Sequence, residues 1–196
     1  DHPINLRGTP HESPHIMNKQ LIAKLAIIAL GAAAGAVQAD VVNPAPTFEV
    51  KIKILKTCAV TTAPGEINLG SIAATSSPVS QSANNTFKVN CSKKTPFYIG
   101  LAPSAANGGT ANGTGNMVSA VPANTDQVPY TLYSNAGMTT VWGNTATATG
   151  VGNGVSGIGA GMASANAVTF NAYAKATNVD FTPDEYKDTV TVNVNY

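Results

Sequence analysis

The stretch Tyr186–Tyr196 reads YKDTVTVNVNY. Val190, Val192, Val194 and Tyr196 share one face of an extended segment, and Thr189, Thr191, Asn193 and Asn195 share the other. Strict apolar/polar alternation specifies a half-buried strand and not a helix. The strand runs to the last residue of the sequence with no turn or tail, so an open sheet edge is expected there. A second alternating segment lies far upstream: Phe48, Val50, Ile52 and Ile54, interleaved with Glu49, Lys51 and Lys53. A spare strand at one end and an unfinished sheet at the other suit a subunit that lends one edge and borrows another.

The first 39 residues read differently from the rest. Residues 1–16 hold His2, His11, His15 and the sole arginine, Arg7, and are read as an upstream segment. Residues 17–39 read as a secretory signal: Met17 opens it, Lys19 and Lys24 are its basic region, and Leu25–Val37 is an uncharged, mostly apolar run. That run falls short of the ~20 apolar residues a membrane-spanning helix needs. Val37-Gln38-Ala39 fits a small-x-small cleavage site, so cleavage is expected between Ala39 and Asp40. The expected organisation is then a donor-strand extension over 40–54 and one domain over 55–196.

Beyond residue 39 the chain carries eight Lys against eight Asp and Glu, with no His or Arg. No basic patch for nucleic acid is present, and Lys93-Lys94 reads as a solvated turn. No nucleophile sits beside a base and no imidazole remains, so catalysis, a metal centre and a cofactor are not expected. Ala, Thr, Asn, Ser, Gly and Val dominate, and short β-branched runs are punctuated by Gly, Pro and Asn. This is an all-β composition.

Cys58 and Cys91 are the only cysteines. In an exported chain they are expected to pair. Closing a loop of roughly 34 residues stabilises by about 3–4 kcal/mol in the chain-entropy picture.

Along the chain, Pro44 and Pro46 enforce an extended lead-in. Thr47–Val60 is expected to split into a leading strand through about Ile54 and a first domain strand ending at Cys58. Further strands are expected at Ile67–Gly70, Asn84–Cys91, Pro96–Ala102, Val128–Tyr133, Met138–Trp142 and Ala167–Ala176, with a weak one near Gly154–Gly159. Ala74–Ser82 reads as polar linker, Ser104–Asn116 as a loop too polar to hold a core, and Gly143–Ala165 as largely irregular. Six or seven short strands in one domain read as an immunoglobulin-like sandwich. Trp142, Tyr130 and Tyr133 are read as packing residues in preference to a sugar-stacking platform. Asp184, Glu185 and Asp188 lack calcium-loop spacing and read as turn solvation. Asn84-Asn85-Thr86 and Asn112-Gly113-Thr114 match glycosylation sequons but read as polar turns.

A cysteine after the N-terminal alternating strand, then INLG, then FKVNCSKKTPFYIGL, PYTLY and VWG, and finally the Tyr-x-Asp-Thr-Val-x-Val-x-Val-x-Tyr ending, together resemble the spore coat protein U family. That family includes pilin subunits of archaic chaperone–usher pili. Tyr173-Ala174-Lys175 departs from its Tyr-Gly-Arg type motif. The resemblance implies an incomplete immunoglobulin-like sandwich of six strands, its final strand supplied in trans by a neighbour's Phe48, Val50, Ile52 and Ile54. The core-facing Val190, Val192, Val194 and Tyr196 would pair first with a periplasmic chaperone. It further implies a homopolymer, an outer-membrane usher, export through the periplasm to the cell surface, and a role in adhesion and biofilm. The alternatives are a monomeric secreted coat or matrix protein and a tip-proximal adhesin, for which the length after residue 39 leaves no room for a receptor domain.

Overall fold

The computed structural model describes Asp40 and residues 43–196. The expected upstream segment, signal and Ala39 lie outside the described residues. The chain divides into two units, residues 1–50 and 51–196. Of the first, residues 45–50 form no regular secondary structure and follow a cis Asn43–Pro44 bond.

The second unit is all-β, with nine strands: β1 (Cys58–Thr62), β2 (Gln81–Cys91), β3 (Pro96–Pro103), β4 (Thr114–Ser119), β5 (Gln127–Tyr133), β6 (Val155–Ile158), β7 (Val168–Ala176), β8 (Tyr186–Lys187) and β9 (Val190–Asn195). They form a six-stranded sheet, β1-β2-β7-β5-β4-β8, and a three-stranded sheet, β6-β3-β9, antiparallel throughout. Alternation selects the buried faces. Phe87 and Val89 of β2, Phe170, Ala172 and Ala174 of β7, and Tyr130 and Leu132 of β5 meet Phe97, Ile99 and Leu101 of β3. Phe170 stacks on Phe87 at 5.6 Å between centroids and meets Phe97 edge-on at 5.9 Å.

Several expected boundaries move. The count rises from six or seven strands to nine: β4 and β8 are short pieces that only long-range partners define, whereas β6 falls within the weak strand expected near Gly154–Gly159. Cys58 opens a strand instead of closing one: its ladder begins with the Cys58↔Cys91 pair, and residues 48–57 belong to no strand. Ile67–Gly70 joins no ladder. Met138–Trp142 contributes a single bridge, Tyr133↔Val141. The supposed loop Ser104–Asn116 runs into β4, where Gly115 faces Tyr130 so closely that a Cβ would lie 2.8 Å from the phenol ring. The glycine there admits an aromatic and is part of the core wall.

Tyr186–Tyr196 is split between the sheets: β8 pairs with β4, whereas β9 pairs with β3. The corner is Asp188. It has the parity of the core valines, and its carboxylate is held by the Tyr130 hydroxyl at 2.6 Å, the Asn107 amide at 2.7 Å and the Ser104 N–H at 3.3 Å. These donors let a carboxylate sit half-buried at a sheet-switching bend. Burial, then the hydrogen bond to Asp188 and its charge, push the Tyr130 phenol upward in pKa, so it stays protonated and donating. Asp184 ties the turn before β8 to the β4–β5 connection, accepting from the Ser119 hydroxyl, the Asn124 amide and the N–H of the adjacent Glu185, in that order of weight in holding its pKa below the ordinary value.

The disulfide Cys58–Cys91 joins β1 to β2 across a sequence separation of 33. Replacing both cysteines with serine is expected to lower unfolding free energy by about 3–4 kcal/mol. Urea unfolding of the two proteins checks this; a loss below about 1 kcal/mol would remove the disulfide as a main staple. Among the described residues no helix is long and apolar enough to cross a membrane.

Candidate functional site

The two flanks of the small sheet differ. β3 is paired on both sides, by β6 and β9, and its Phe97, Ile99 and Leu101 are sealed at 0–2% exposure. β9 is paired only with β3 among the described residues. Val192 stands opposite Leu101 and Val194 opposite Ile99, yet Val190, Val192 and Val194 remain only half-buried. Same face, same core, different burial: the missing cover lies along the outer edge of β9, whose backbone donors and acceptors face no strand.

A second partly covered row belongs to the segment after the Pro64-Gly65 turn. Ile67 and Leu69 pack half-buried against the core, although residues 66–72 form no ladder. Asn85 tethers the start of this segment: its amide donates to the Glu66 carbonyl at 2.7 Å and its oxygen accepts from the Gly65 N–H at 3.2 Å. A side chain at Gly65 would collide with that amide at 2.8 Å, which accounts for the glycine. Core residues on two elements, β9 and 66–72, are thus left short of full burial.

The expected donor residues are the most exposed large apolar side chains described. Phe48 and Val50 are each 88% exposed, Ile52 87% and Ile54 82%. Successive knobs recur every second residue, about 6.6–6.8 Å apart in an extended chain, which is also the spacing of Val190, Val192 and Val194. Tyr196, at 38% exposure, lies just beyond the β9 ladder.

Sequence reasoning did not single out Asn90, which is fully buried. Its amide donates to the Gly161 and Ala163 carbonyls and its oxygen accepts from the Thr61 hydroxyl. It ties β1 and β2 to the loop after β6; the Asn-Cys pair in FKVNC is the only local hint of it. The Asp188–Tyr130 corner was missed because its partners are 58 residues apart.

Residues 45–193 match the Spore Coat Protein U domain family. No curated protein matches the chain in sequence. Among solved structures, the chain is similar to one in the crystal structure of the CsuC–CsuE chaperone–tip adhesion subunit pre-assembly complex from archaic chaperone–usher Csu pili of Acinetobacter baumannii. The identity is 23%, the TM-score 0.42, and the match covers 73% of this chain but only 40% of that one. The family match spans well over half of the sequence, including the disulfide, all four exposed N-terminal knobs, and Val190 and Val192 of the uncovered β9 row; the chain belongs to the spore coat protein U domain family.

Proposed function

We propose that this chain is a structural subunit of a surface pilus, built by strand donation from one copy to the next. The observation that carries the reading is the pairing of two shortfalls. Four exposed apolar residues alternate along a segment outside any strand, and a row of core valines is only half-buried on a strand with one unpaired edge among the described residues. Burying Phe48, Val50, Ile52 and Ile54 at ~1.5–3 kcal/mol each gives a gross gain of about 6–12 kcal/mol before ordering costs. Backbone pairing along β9 adds to this and removes an aggregation-prone edge. In this reading a periplasmic chaperone covers the β9 edge first, and the neighbour's segment replaces it at an outer-membrane usher. The fibre then supports adhesion and biofilm. The role is structural and not enzymatic.

The test is gel electrophoresis of sheared surface material in SDS, unheated against boiled. A ladder that collapses to one band on boiling is the expected result. A single monomer band in both lanes would overturn the proposal in favour of a self-complete secreted coat or matrix protein.

A further inference from the structure

The outer face of the six-stranded sheet carries an organised patch that strand donation does not use. On β7 the inward residues are Phe170, Ala172, Ala174 and Ala176, so Tyr173 and Lys175 point outward. On β5, Val128, Tyr130 and Leu132 point inward, so Thr131 and Tyr133 point outward. The register places Tyr173 between Asn84 and Tyr133, and Lys175 between Ser82 and Thr131, which in turn faces Thr114. Two parallel rows result. One is aromatic, and the next, two residues along, is one ammonium among three hydroxyls.

Tyr, Thr and Lys are ordinary residues on a solvated sheet face. Two observations set this patch apart. Tyr133, Tyr173 and Lys175 are half-buried, and Lys175, Thr131 and Tyr133 line a cleft of about 280 Å³ together with Asn116 and Thr114 of the adjacent β4. Among the described residues no carboxylate lies within ion-pair distance of Lys175, and its ammonium makes no hydrogen bond. A half-buried cation in a concavity, with no counter-charge supplied by its own chain, is a place for an anionic group.

We propose that this face binds an acidic saccharide: Tyr133 and Tyr173 stack on the apolar face of a pyranose ring, Lys175 takes its carboxylate, and Thr131, Asn116 and Asn84 meet its hydroxyls. The cleft is at the small end of ligand sites, which run roughly 300–1,000 Å³, so it accepts one ring of a longer chain lying across the sheet. The paired tyrosines favour a ring-bearing anion over a bare phosphate, which needs only the cation. Binding requires no second copy, so it stands or falls separately from polymerisation.

The experiment titrates the full chain with trigalacturonate, with the neutral galactose trimer and with inorganic phosphate, using calorimetry on wild type, Lys175→Gln and Tyr133→Ser. Both positions are on the solvent side, and circular dichroism checks that each variant is folded. Trigalacturonate is expected to bind at least about tenfold more tightly than the neutral trimer, and to lose at least about tenfold in each variant. Equal trigalacturonate affinity in all three proteins, or no binding to wild type, overturns the proposal. Phosphate binding as tightly as trigalacturonate, with Tyr133→Ser neutral, reduces the cleft to a simple anion site and overturns the saccharide assignment. Loss of fibre yield in Tyr133→Ser with saccharide binding unchanged assigns the face to contacts between copies and also overturns it.

Discussion

Ile52→Asp is expected to abolish the heat-sensitive ladder while leaving the disulfide-bonded chain folded and at normal yield. Ile52 is 87% exposed, so a carboxylate there meets water in the single chain and alters its stability by no more than about 0.5 kcal/mol. Against a neighbour's β9 row, the same carboxylate would enter an apolar groove. The substitution forfeits ~1.5–3 kcal/mol of apolar burial and adds the several kcal/mol of desolvating an unpaired charge. Both losses fall on the assembled state alone. Lys53→Asp, one residue on, places the same charge on the opposite face and is expected to leave the ladder almost intact. The contrast between neighbours is diagnostic. Equal loss at 52 and 53 would mean that charge alone, not strand burial, governs assembly. A normal ladder from Ile52→Asp would remove Phe48–Ile54 as the donor.

Where alternation ran unbroken, the strands were readable from the sequence alone: Phe87, Val89 and Cys91 on β2, Val168, Phe170, Ala172 and Ala174 on β7, and the valines of β9 all face inward as their period requires. The Cys58–Cys91 pair was expected from the signal-like segment over 17–39 and from there being no third cysteine. What resisted reading depended on distant partners. Nothing near Asp188 announces that a phenol 58 residues upstream will hold it, so the break between β8 and β9 was invisible in an apparently continuous alternating stretch. β4 was hidden because TGNMVS has a loop-like start; its Gly115 is there to admit Tyr130, a requirement of packing and not of turn geometry. The opposite error occurred at Ile67 and Leu69, whose strand-like pattern finds no ladder in the single chain. Periodicity reports which side chains want burial; it does not report whether a backbone partner is available. For the same reason the row of Tyr133, Tyr173 and Lys175 appears only once register is known.

Trp142→Ala is expected to destabilise the folded chain by about 3–5 kcal/mol, the range for emptying a large aromatic site, and to leave much of it unfolded before assembly. Trp142 is 1% exposed, lies 6.0 Å from Phe87 and 6.4 Å from Phe170 between centroids, and donates from Nε1 to the Ile99 carbonyl at 2.8 Å. Its surroundings explain why one side chain weighs so much. The Trp142 N–H bonds to the Leu132 carbonyl of β5, and the next carbonyl, of Gly143, accepts from the Leu101 N–H of β3. These two residues therefore stitch one sheet to the other where no strand does. Gly113 completes the seat: at φ 80°, it comes so close that a Cβ would lie 2.4 Å from the Trp142 carbonyl oxygen. With the outer edge of β9 uncovered, the sandwich has little surplus to absorb the loss, since whole domains are stable by only about 5–15 kcal/mol. Trp142→Phe keeps most of the apolar volume and removes the Ile99 bond, so a smaller cost of about 1–3 kcal/mol is expected. Urea midpoints of the three proteins, measured with the disulfide intact, decide the matter. Equal midpoints for Trp142→Ala and wild type would show that the 141–144 crossing is dispensable. Equal losses for Ala and Phe would place the effect in the hydrogen bond to Ile99 and not in the packing.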